Sequence, residues 1–359
     1  MTIRRGQSRR NRPNPPILAI VGGMLGAGKT TLILEAARRL TQRGLRPVMV
    51  TNDQGRDLVD TALARRWGVP VREVAGGCFC CRLSDLLHAT YVLAALSADV
   101  VFAEPVGSCT DLAATVLRPL MRDEPGRFRV APLTVLVDPA RAQALAQPHA
   151  DPDLAFLFRQ QLAEADMVCA TKADEGVGLL PLDNIVAHRL SARTGEGVDE
   201  WLDRVLGEDI AAGALPLVSL DYSQYAEAEA ALAWLNWHAH LRLDAPAAPA
   251  MVVGVLAEHL ERELSVAGLA VAHVKVLDQS ETGYVRVSLC GDGRTPAVEG
   301  ALDASPAARH QLLVNARVVG DPGVLSRVVG ECLRALGGEL ELVSREAFRP
   351  SPPVPERRA

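Results

Sequence analysis

The stretch from Gly23 to Thr30 is the most specific chemical signature in this sequence. It reads G-M-L-G-A-G-K-T, follows the apolar run from Ile17 to Val21, and precedes helix-like spacing from Thr31 to Leu40. Glycines let a backbone curl around phosphate oxygens, and successive N–H groups at a helix N-terminus attract negative charge. The strand, loop and helix together therefore predict a nucleotide phosphate site. A glycine-rich turn that binds nothing is the alternative.

The residues of this loop have distinct expected roles. Lys29 is expected to reach the β- and γ-phosphates, and the Thr30 hydroxyl to coordinate Mg²⁺. Thr31 and the neighbouring amides remain for the inner phosphates. The predicted nucleotide cradle consists of Gly23, Gly26, Ala27, Gly28, Lys29, Thr30 and Thr31.

The segment Gly76 to Cys81, G-G-C-F-C-C, is the second signature. Thiolates favour Zn²⁺, Cu(I) and other thiophilic metals over Mg²⁺ or Ca²⁺, so Cys78, Cys80 and Cys81 predict a transition-metal site. In an extended segment Cys81 would face away from the other two, and we expect a turn after Cys80 to bring it back. Thiols buried without a metal are the alternative. Candidates for a missing fourth ligand are water, a client protein, Asp53, His88 and Cys109.

Glu104 follows the predicted strand at residues 99–103. A carboxylate in that position can touch Mg²⁺ directly or through water, and Gly107 would let the backbone approach the γ-phosphate. The alternative for Glu104 is a cap for the helix after Ser108.

Asp53 follows the predicted strand at residues 47–51, at the sheet edge where α/β proteins hold ligands. It could face Mg²⁺, the γ-phosphate or a second metal, or form an Asx-turn cap for the helix predicted at residues 57–67. We expect Lys29, Glu104 and Asp53 to form the catalytic set.

Two later segments indicate the base. Thr171-Lys172-Ala173-Asp174 stands at a strand end, where the Asp174 carboxylate can accept both N1–H and the exocyclic amine of guanine. The backbone of Ser191-Ala192-Arg193 could read the guanine O6. Their order after the phosphate loop favours GTP with Mg²⁺. His238 and His240 have metal-pair spacing in a strand-like stretch, although two histidines on an ordinary sheet surface are the favoured interpretation.

The elements that must position these residues change in pattern near residue 213. Before it, apolar strand candidates alternate with helical spacing, which predicts an α/β fold with a mostly parallel sheet and helices on both faces. After it, we expect a smaller α+β domain with helices on one face of an antiparallel sheet. Its predicted elements are strands at 226–243, 310–319 and 340–347, helices at 251–266 and 323–336, and a hairpin at 269–277 and 283–289.

The expected organisation has four parts. They are a disordered basic tail at residues 1–16, a P-loop GTPase domain at 17–212, the α+β domain at 213–348 and a flexible tail at 349–359. At 359 residues and 48% hydrophobic composition, the chain can bury a core in each domain.

Charge and composition bound the partners. A formal net charge of −5 argues against broad binding to nucleic acid or an anionic membrane. No apolar run approaches the roughly 20 residues of a membrane span, and no secretory signal precedes the first strand. Seven cysteines, three of them in one tetrapeptide, favour reduced thiols. We therefore expect a cytoplasmic protein, with a homodimer as an open alternative to the monomer.

With these motifs in this order, the chain resembles the CobW/HypB/UreG superfamily of metallochaperone GTPases, and its CobW-like branch in particular. The family's Walker-B Glu and C-x-C-C signature match Glu104 and Cys78, Cys80 and Cys81. The resemblance spans residues 17 to 206, and residues 213–348 look like the family's C-terminal domain by layout. It implies a GTPase that binds Zn²⁺ or Co²⁺ through these cysteines and delivers the metal to a client metalloprotein.

The sequence also departs from the family pattern. Thr171 stands where the family has Asn, the 174–188 connection is short for a helical crossover, and no histidine-rich stretch occurs. Two other readings stay open: a regulatory P-loop NTPase with a structural zinc site, and a nucleotide-dependent scaffold with negligible turnover.

Overall fold

The computed structural model describes residues 14–178, 186–207, 209–291 and 295–359. Within these ranges the chain forms a parallel sheet followed by an antiparallel sheet. Most of the expected basic tail (residues 1–13) and half of the 174–188 connection (residues 179–185) lie outside the described residues.

The first sheet is built around its central strand. Its strands are β1 (Ile17–Gly23), β2 (Pro47–Asn52), β3 (Val71–Val74), β4 (Val100–Glu104), β5 (Arg129–Val130), β6 (Thr134–Val137), β7 (Met167–Ala170) and β8 (His188–Arg189). They pair in parallel in the order β3-β2-β4-β1-β6-β7-β8, and β5 also pairs with β1. The carboxyl end of β1 therefore lies between those of β4 and β6, where parallel sheets hold ligands.

Helices cover both faces of this sheet, as the alternating sequence pattern predicts. They are α1 (Lys29–Gln42), α2 (Val59–Arg66), α3 (Leu83–Ala94), α4 (Arg118–Asp123), α5 (Pro139–Leu145), α6 (Pro152–Ala163) and α7 (Val198–Leu206), with a π-helical turn at Ala113–Leu117 and a 3₁₀ turn at Ala173–Glu175. Leu18 and Ile20 of β1 share one core with Leu86 of α3. Val21, on the opposite face, shares another core with Leu32 of α1.

The second sheet is antiparallel and carries helices on one face, as expected. Its elements are α8 (Tyr222–Ala230), β9 (Leu232–Ala247), α9 (Pro249–Val266), β10 (Ala270–Gln279), β11 (Tyr284–Leu289), β12 (Ala297–Gly300), β13 (Ala307–Val319), α10 (Pro322–Arg334) and β14 (Glu339–Phe348). The strand order is β12-β11-β10-β13-β9-β14. Leu235 of β9 packs in one core with Val253 of α9 and Leu325 of α10.

The strand predicted at residues 226–243 is wrong over its first five residues, which belong to α8. The Asp221 carboxylate caps this helix by accepting from the Ser223 and Gln224 amides. Ala and Glu are strong helix formers, and this preference together with the cap outweighs their alternation. Tyr225 of α8 is fully buried in a core of the first sheet, so that core continues past residue 213.

The face of the second sheet without helices lies against the first sheet. Along β10, Val274 and Val276 point into the core with the helices, while Leu277 packs in the core that contains α1. Side chains alternate along a strand, so Lys275 must point the same way as Leu277. The pleat of β10 thus directs a cation toward the carboxyl edge of the first sheet.

Candidate functional site

The phosphate loop has the conformation that its glycines predict. Gly23, Gly26 and Gly28 have φ values of 129°, 81° and 93°, a region that L side chains rarely adopt. Lys29 is buried, and its Nζ donates to the carbonyls of Gly23 (2.9 Å) and Met24 (3.3 Å). Burial, partly offset by the attraction of Glu104, lowers the pKa of Lys29 to about 8. The Lys29 ammonium group therefore bonds to carbonyls of its own loop, and a bound phosphate could attract it away from them.

Thr30 and Glu104 meet beside this loop, together with an acid that the sequence analysis missed. The Thr30 hydroxyl lies 2.8 Å from Asp60 Oδ1 and 2.9 Å from Glu104 Oε1. A single hydroxyl proton can serve only one of these acceptors. Burial, with repulsion from Asp60, raises the pKa of Glu104 to about 7, so a proton on Glu104 can supply the second bond. Asp60 lies in the first turn of α2. Its place at the carboxyl edge of the sheet is the signal that could have identified it as a site residue.

These oxygens fit a magnesium ion. Glu104 Oε2 is buried and has no hydrogen-bond partner in the structure. Buried carboxylate oxygens are seldom left unpaired, and hydroxyl and carboxylate oxygens are the donors that Mg²⁺ prefers. Thr30, Asp60 and Glu104 could therefore hold Mg²⁺ next to the phosphate loop.

Three cations of the second sheet reach the carboxyl edge of the first sheet, and they are Lys275, Arg286 and Arg317. Lys275 Nζ lies 2.7 and 2.5 Å from the two oxygens of Asp60. Arg286 Nη2 donates to the Thr31 hydroxyl at 3.1 Å, and its guanidinium also pairs with Glu299 at 2.6 Å. The phosphate site is thus built by both sheets.

Asp53 is held by the third of these cations. Its Oδ2 accepts from Arg317 Nη2 at 2.6 Å, and its Oδ1 accepts from the Gly55 amide at 3.0 Å in an Asx-type turn. The helix after it begins at Val59 with Leu58 as its N-cap residue, so Asp53 is not the cap of that helix. It lines the cavity that also contains Lys29, Glu104 and Gly107.

The predicted base-recognition residues gather around one cavity of about 500 Å³. From the first sheet it is lined by Ala27, Gly28, Thr31, Thr171, Lys172, Asp174, Ser191, Ala192 and Arg193. Thr171 Oγ1 donates to the Ala27 carbonyl at 3.0 Å, so threonine anchors the phosphate loop where the family has asparagine. Lys172 pairs with Asp138 at 2.8 Å.

Asp174 is preorganised as an anion in this cavity. Its Oδ1 accepts from the Ser191 hydroxyl at 2.6 Å, and its carboxylate pairs with Arg193. Burial tends to raise the pKa of Asp174, but the Ser191 bond and Arg193 outweigh it and lower the pKa. A charged carboxylate suits the two N–H donors of guanine.

The three cysteines converge in a tight turn. The amides of Cys81 and Arg82 donate to the Cys78 carbonyl, each at 3.0 Å, after Gly76 and Gly77 with φ values of 83° and 156°. The turn therefore spans residues 78–81, whereas the sequence predicts a turn after Cys80. The three sulfurs, of Cys78, Cys80 and Cys81, lie within 4.8 Å of one another. Such a soft donor set suits Zn²⁺ or Co²⁺.

Cys109 is the predicted fourth-ligand candidate that lies beside this cluster, outside the group of three sulfurs within 4.8 Å of one another. Hydrogen bonds from Cys78 and Cys80 lower the pKa of the buried Cys109 thiol to about 6. The same contact raises the pKa of Cys78. Two of the other candidates lie elsewhere: Asp53 pairs with Arg317, and His88 is exposed on α3. Cys109 lies five residues beyond Glu104 on the loop after β4.

Hydrogen bonds join the cysteine loop to the phosphate site. Asn52, at the end of β2, donates from Nδ2 to the carbonyls of Val74 (2.9 Å) and Gly77 (2.7 Å). Asn52 also lines the cavity that contains Lys29 and Glu104. Behind the cysteines, the Ser108 hydroxyl donates to Glu229 at 2.6 Å, and burial raises the pKa of that carboxyl to about 7.

The carboxyl-terminal segment 349–359, which the sequence predicts as a flexible tail, lies along the cysteine loop. The Val354 amide donates to Cys81 Sγ at 3.2 Å, and the Glu356 amide donates to the Cys80 carbonyl at 3.0 Å. The Glu356 carboxylate accepts from Ser84, and Arg358 donates to Asp111 at 2.9 Å. These polar partners compensate for the poor helix and strand propensity of the proline-rich sequence.

His238 and His240 occupy one face of β9, as their spacing predicts, with ring centres 5.6 Å apart. His238 Nε2 lies 2.8 Å from the Gln311 amide nitrogen, and His240 lies 3.8 Å from Glu341. Within the described residues, the metal-ligand cluster that the structure contains is the cysteine one.

Residues 17–179 match the family described as CobW/HypB/UreG, nucleotide-binding domain. A search of curated proteins gives no match. Similar solved structures include HypB from Helicobacter pylori in complex with nickel, at 16% identity over 54% of this chain and 86% of that one, with a TM-score of 0.39. They also include Zn(II)-bound YjiA GTPase from E. coli, at 16% identity over 89% and 99%, with a TM-score of 0.34.

Across the part of the chain that the structure describes, no helix combines the length and apolarity needed to cross a bilayer. The phosphate loop, the acids beside it and the family match all indicate that the first sheet carries a nucleotide-binding site. Over residues 17–179 the chain is similar to the CobW/HypB/UreG family of nucleotide-binding domains.

Proposed function

We propose that this protein is a GTP-binding and GTP-hydrolysing metallochaperone that carries Zn²⁺ or Co²⁺ on its cysteine cluster and delivers the ion to a client metalloprotein. One observation carries the proposal: a single short loop joins the two sites. Glu104 contacts Thr30 at the phosphate site, and Cys109, five residues later, lies close enough to Cys78 and Cys80 for them to lower the pKa of its thiol. A rearrangement of this loop on hydrolysis would disturb the sulfur ligands.

The nucleotide would be held by residues of the first sheet. Lys29 and the loop amides would bind the phosphates, while Thr30, Asp60 and Glu104 would hold Mg²⁺, which neutralises charge on the phosphates. Asp174 would read guanine. Asp53 stays a candidate for orienting the attacking water, but its bond to Arg317 would have to loosen first.

The cargo metal would be bound by thiolates of Cys78, Cys80 and Cys81, with Cys109 as the fourth sulfur. Four sulfurs from two loops make a site that depends on the relative placement of those loops. Bound thiols must lose their protons, so loading releases protons into the solvent. A cytoplasmic location, where thiols stay reduced, and a client protein remain parts of this proposal.

An anaerobic Co²⁺ titration tests the coupling. Thiolate-to-cobalt absorption would be followed with a non-hydrolysable GTP analogue and Mg²⁺, and again with GDP and Mg²⁺. We expect tighter Co²⁺ binding with the analogue, because γ-phosphate contacts order switch loops that relax on hydrolysis. Cys332→Ser, which removes a buried thiol of α10, is the matched control. Equal affinities in the two nucleotide states would contradict the coupling.

A regulatory NTPase with a structural zinc is the second candidate, and the burial of the cluster favours it. Cys78 and Cys80 are 2% and 1% exposed, and the segment 349–359 covers Cys81. A structural zinc would co-purify at one equivalent and resist weak chelators, whereas cargo exchanges quickly. Metal-exchange rates measured with a chromogenic chelator separate the two.

A further inference from the structure

The second sheet places Lys275 against the acids that the phosphate site uses. Its ammonium group bonds to both oxygens of Asp60, at 2.7 and 2.5 Å. The Thr30 hydroxyl binds the same carboxylate at 2.8 Å. The side chains of Lys275 and Asp60 are 16% and 15% exposed, so solvent screens this pair only weakly.

Lys275 has fewer partners to exchange than the two arginines beside it. Arg317 lies 4.1 Å from the centre of the Trp234 ring and also donates to the Leu235 carbonyl. Arg286 is divided between Thr31 and Glu299. The hydrogen bonds of Lys275 go to Asp60, and a lysine ammonium is a compact charge on a flexible stem.

The arrival of Mg²⁺ and a nucleotide would change the partners available to Lys275. Bound Mg²⁺ would compete for the Asp60 oxygens to which the ammonium group is bonded. Lys275 and Lys29 already share one cavity with Glu104, and each lowers the attraction of that cavity for further positive charge. The added anion that distinguishes GTP from GDP is the terminal phosphate, and it would offer Lys275 a replacement for Asp60.

We propose that Lys275 is the γ-phosphate-sensing residue of this protein, supplied by the second sheet. In the nucleotide-free state it pairs with Asp60, and with GTP bound it pairs with the terminal phosphate. The inference rests on the proposed binding of GTP. It makes the second sheet part of the nucleotide switch, because a lysine of β10 changes its partner with the nucleotide state.

Three variants of the full chain test this proposal. Lys275→Met removes the charge and keeps the length of the side chain, and Lys275→Arg keeps the charge. Arg242→Ala, a matched control, removes a cation of the same sheet whose pair with Glu339 is exposed on both sides. The readout is the equilibrium affinity for a fluorescent non-hydrolysable GTP analogue and for fluorescent GDP, both with Mg²⁺, alongside the thermal midpoint of each variant.

We expect Lys275→Met to lower the affinity for the GTP analogue by about tenfold or more, which is the scale of a lost hydrogen bond to a charged group. The affinity for GDP should change much less. Lys275→Arg should keep most of the preference for the analogue, and Arg242→Ala all of it. Equal losses for both nucleotides in Lys275→Met, or an unchanged preference, would overturn the proposal. If the unaltered protein binds neither nucleotide, the proposed function fails and the sensing role of Lys275 fails with it. If the unaltered protein binds both nucleotides and Lys275→Met keeps the preference for the analogue, only the sensing role fails.

Discussion

Arg317 of β13 donates to Asp53 across the two sheets, with Nη2 2.6 Å from Oδ2. The guanidinium also lies over the Trp234 ring, 4.1 Å from its centre. One side chain of the second sheet therefore fixes the loop that leaves β2 toward the nucleotide.

Arg317→Ala should destabilise the protein. The substitution leaves Asp53, whose side chain is 14% exposed, without its cation, and breaking a buried pair in this way costs about 3 kcal/mol or more. The expected decrease in the free energy of unfolding can be measured by urea titration followed by tryptophan fluorescence. Arg242→Ala breaks an exposed pair and should cost less than about 1 kcal/mol. Equal losses in the two variants would contradict the importance of the Arg317 contact.

Thr30→Ala should make nucleotide binding insensitive to Mg²⁺. Its hydroxyl lies between Asp60 and Glu104, and without it the ion loses a ligand on the protein. We expect GDP affinity in Mg²⁺ to fall toward the value in EDTA, measured by fluorescent-nucleotide titration. Thr41→Ala is the control, because it makes the same change in the same helix, where the hydroxyl bonds only to the Ala37 carbonyl among the contacts the structure gives it. An unchanged Mg²⁺ dependence in Thr30→Ala would exclude the hydroxyl as a ligand.

Cys109→Ser should weaken the metal site. If Cys109 is the fourth sulfur, Co²⁺ affinity falls by at least about tenfold, a loss that even outer-shell substitutions cause at metal sites. The thiolate-to-cobalt absorption per bound ion should drop as well. Cys332→Ser should leave both quantities unchanged, since Cys332 packs in the core of the second sheet. Full absorption in Cys109→Ser would show that the fourth ligand comes from elsewhere.

Three buried carboxyl groups should each make the nucleotide-free and metal-free protein less stable as the pH rises from about 5 to 8. Burial raises the pKa of Glu164 to about 8, and those of Glu104 and Glu229 to about 7. A carboxyl group with a raised pKa holds its proton longer in the folded state than in the unfolded one. The folded state then binds more protons across that window, and each such group lowers stability by at most about 1.4 kcal/mol per pH unit.

Glu164→Gln isolates one of these groups. The oxygen of a neutral amide can still accept from the Ala113 amide, and its NH2 group can donate to the Thr110 hydroxyl; these groups lie 2.9 and 3.2 Å from the two Glu164 oxygens. The variant should show a shallower loss of stability between pH 5 and 8 in urea unfolding. A slope identical to that of the unaltered protein would mean that Glu164 is already ionised at pH 5.

The sequence predicts the first sheet well because its signals are local. The phosphate loop, the strand ends and the cysteine tetrapeptide each lie within a few residues, and the structure gathers Lys29, Thr30 and Glu104 at the edge where parallel strands end. The glycines before Cys78 indicated the turn, although the turn begins earlier than expected. The branch of the family, the domain boundaries and the residue roles stay predictions.

The contacts between the two sheets could not be predicted from the sequence. Lys275, Arg286 and Arg317 lie 215, 255 and 264 positions from the residues that they bind, and nothing in the local pattern links them. A signal was present in the strands themselves. Cations alternate with buried valines along β10 and β11, which would suit a sheet face that meets charged groups. Asp60 was missed because a carboxylate in the first turn of a helix is ordinary.

The position of the last residues has a practical consequence for handling this protein. The Ala359 amide donates to the Ala114 carbonyl, and the preceding residues cross the sulfur cluster. A purification tag fused after Ala359 would disturb the segment 349–359 that lies over the cysteines, and it would alter how readily the cysteines react or bind an ion.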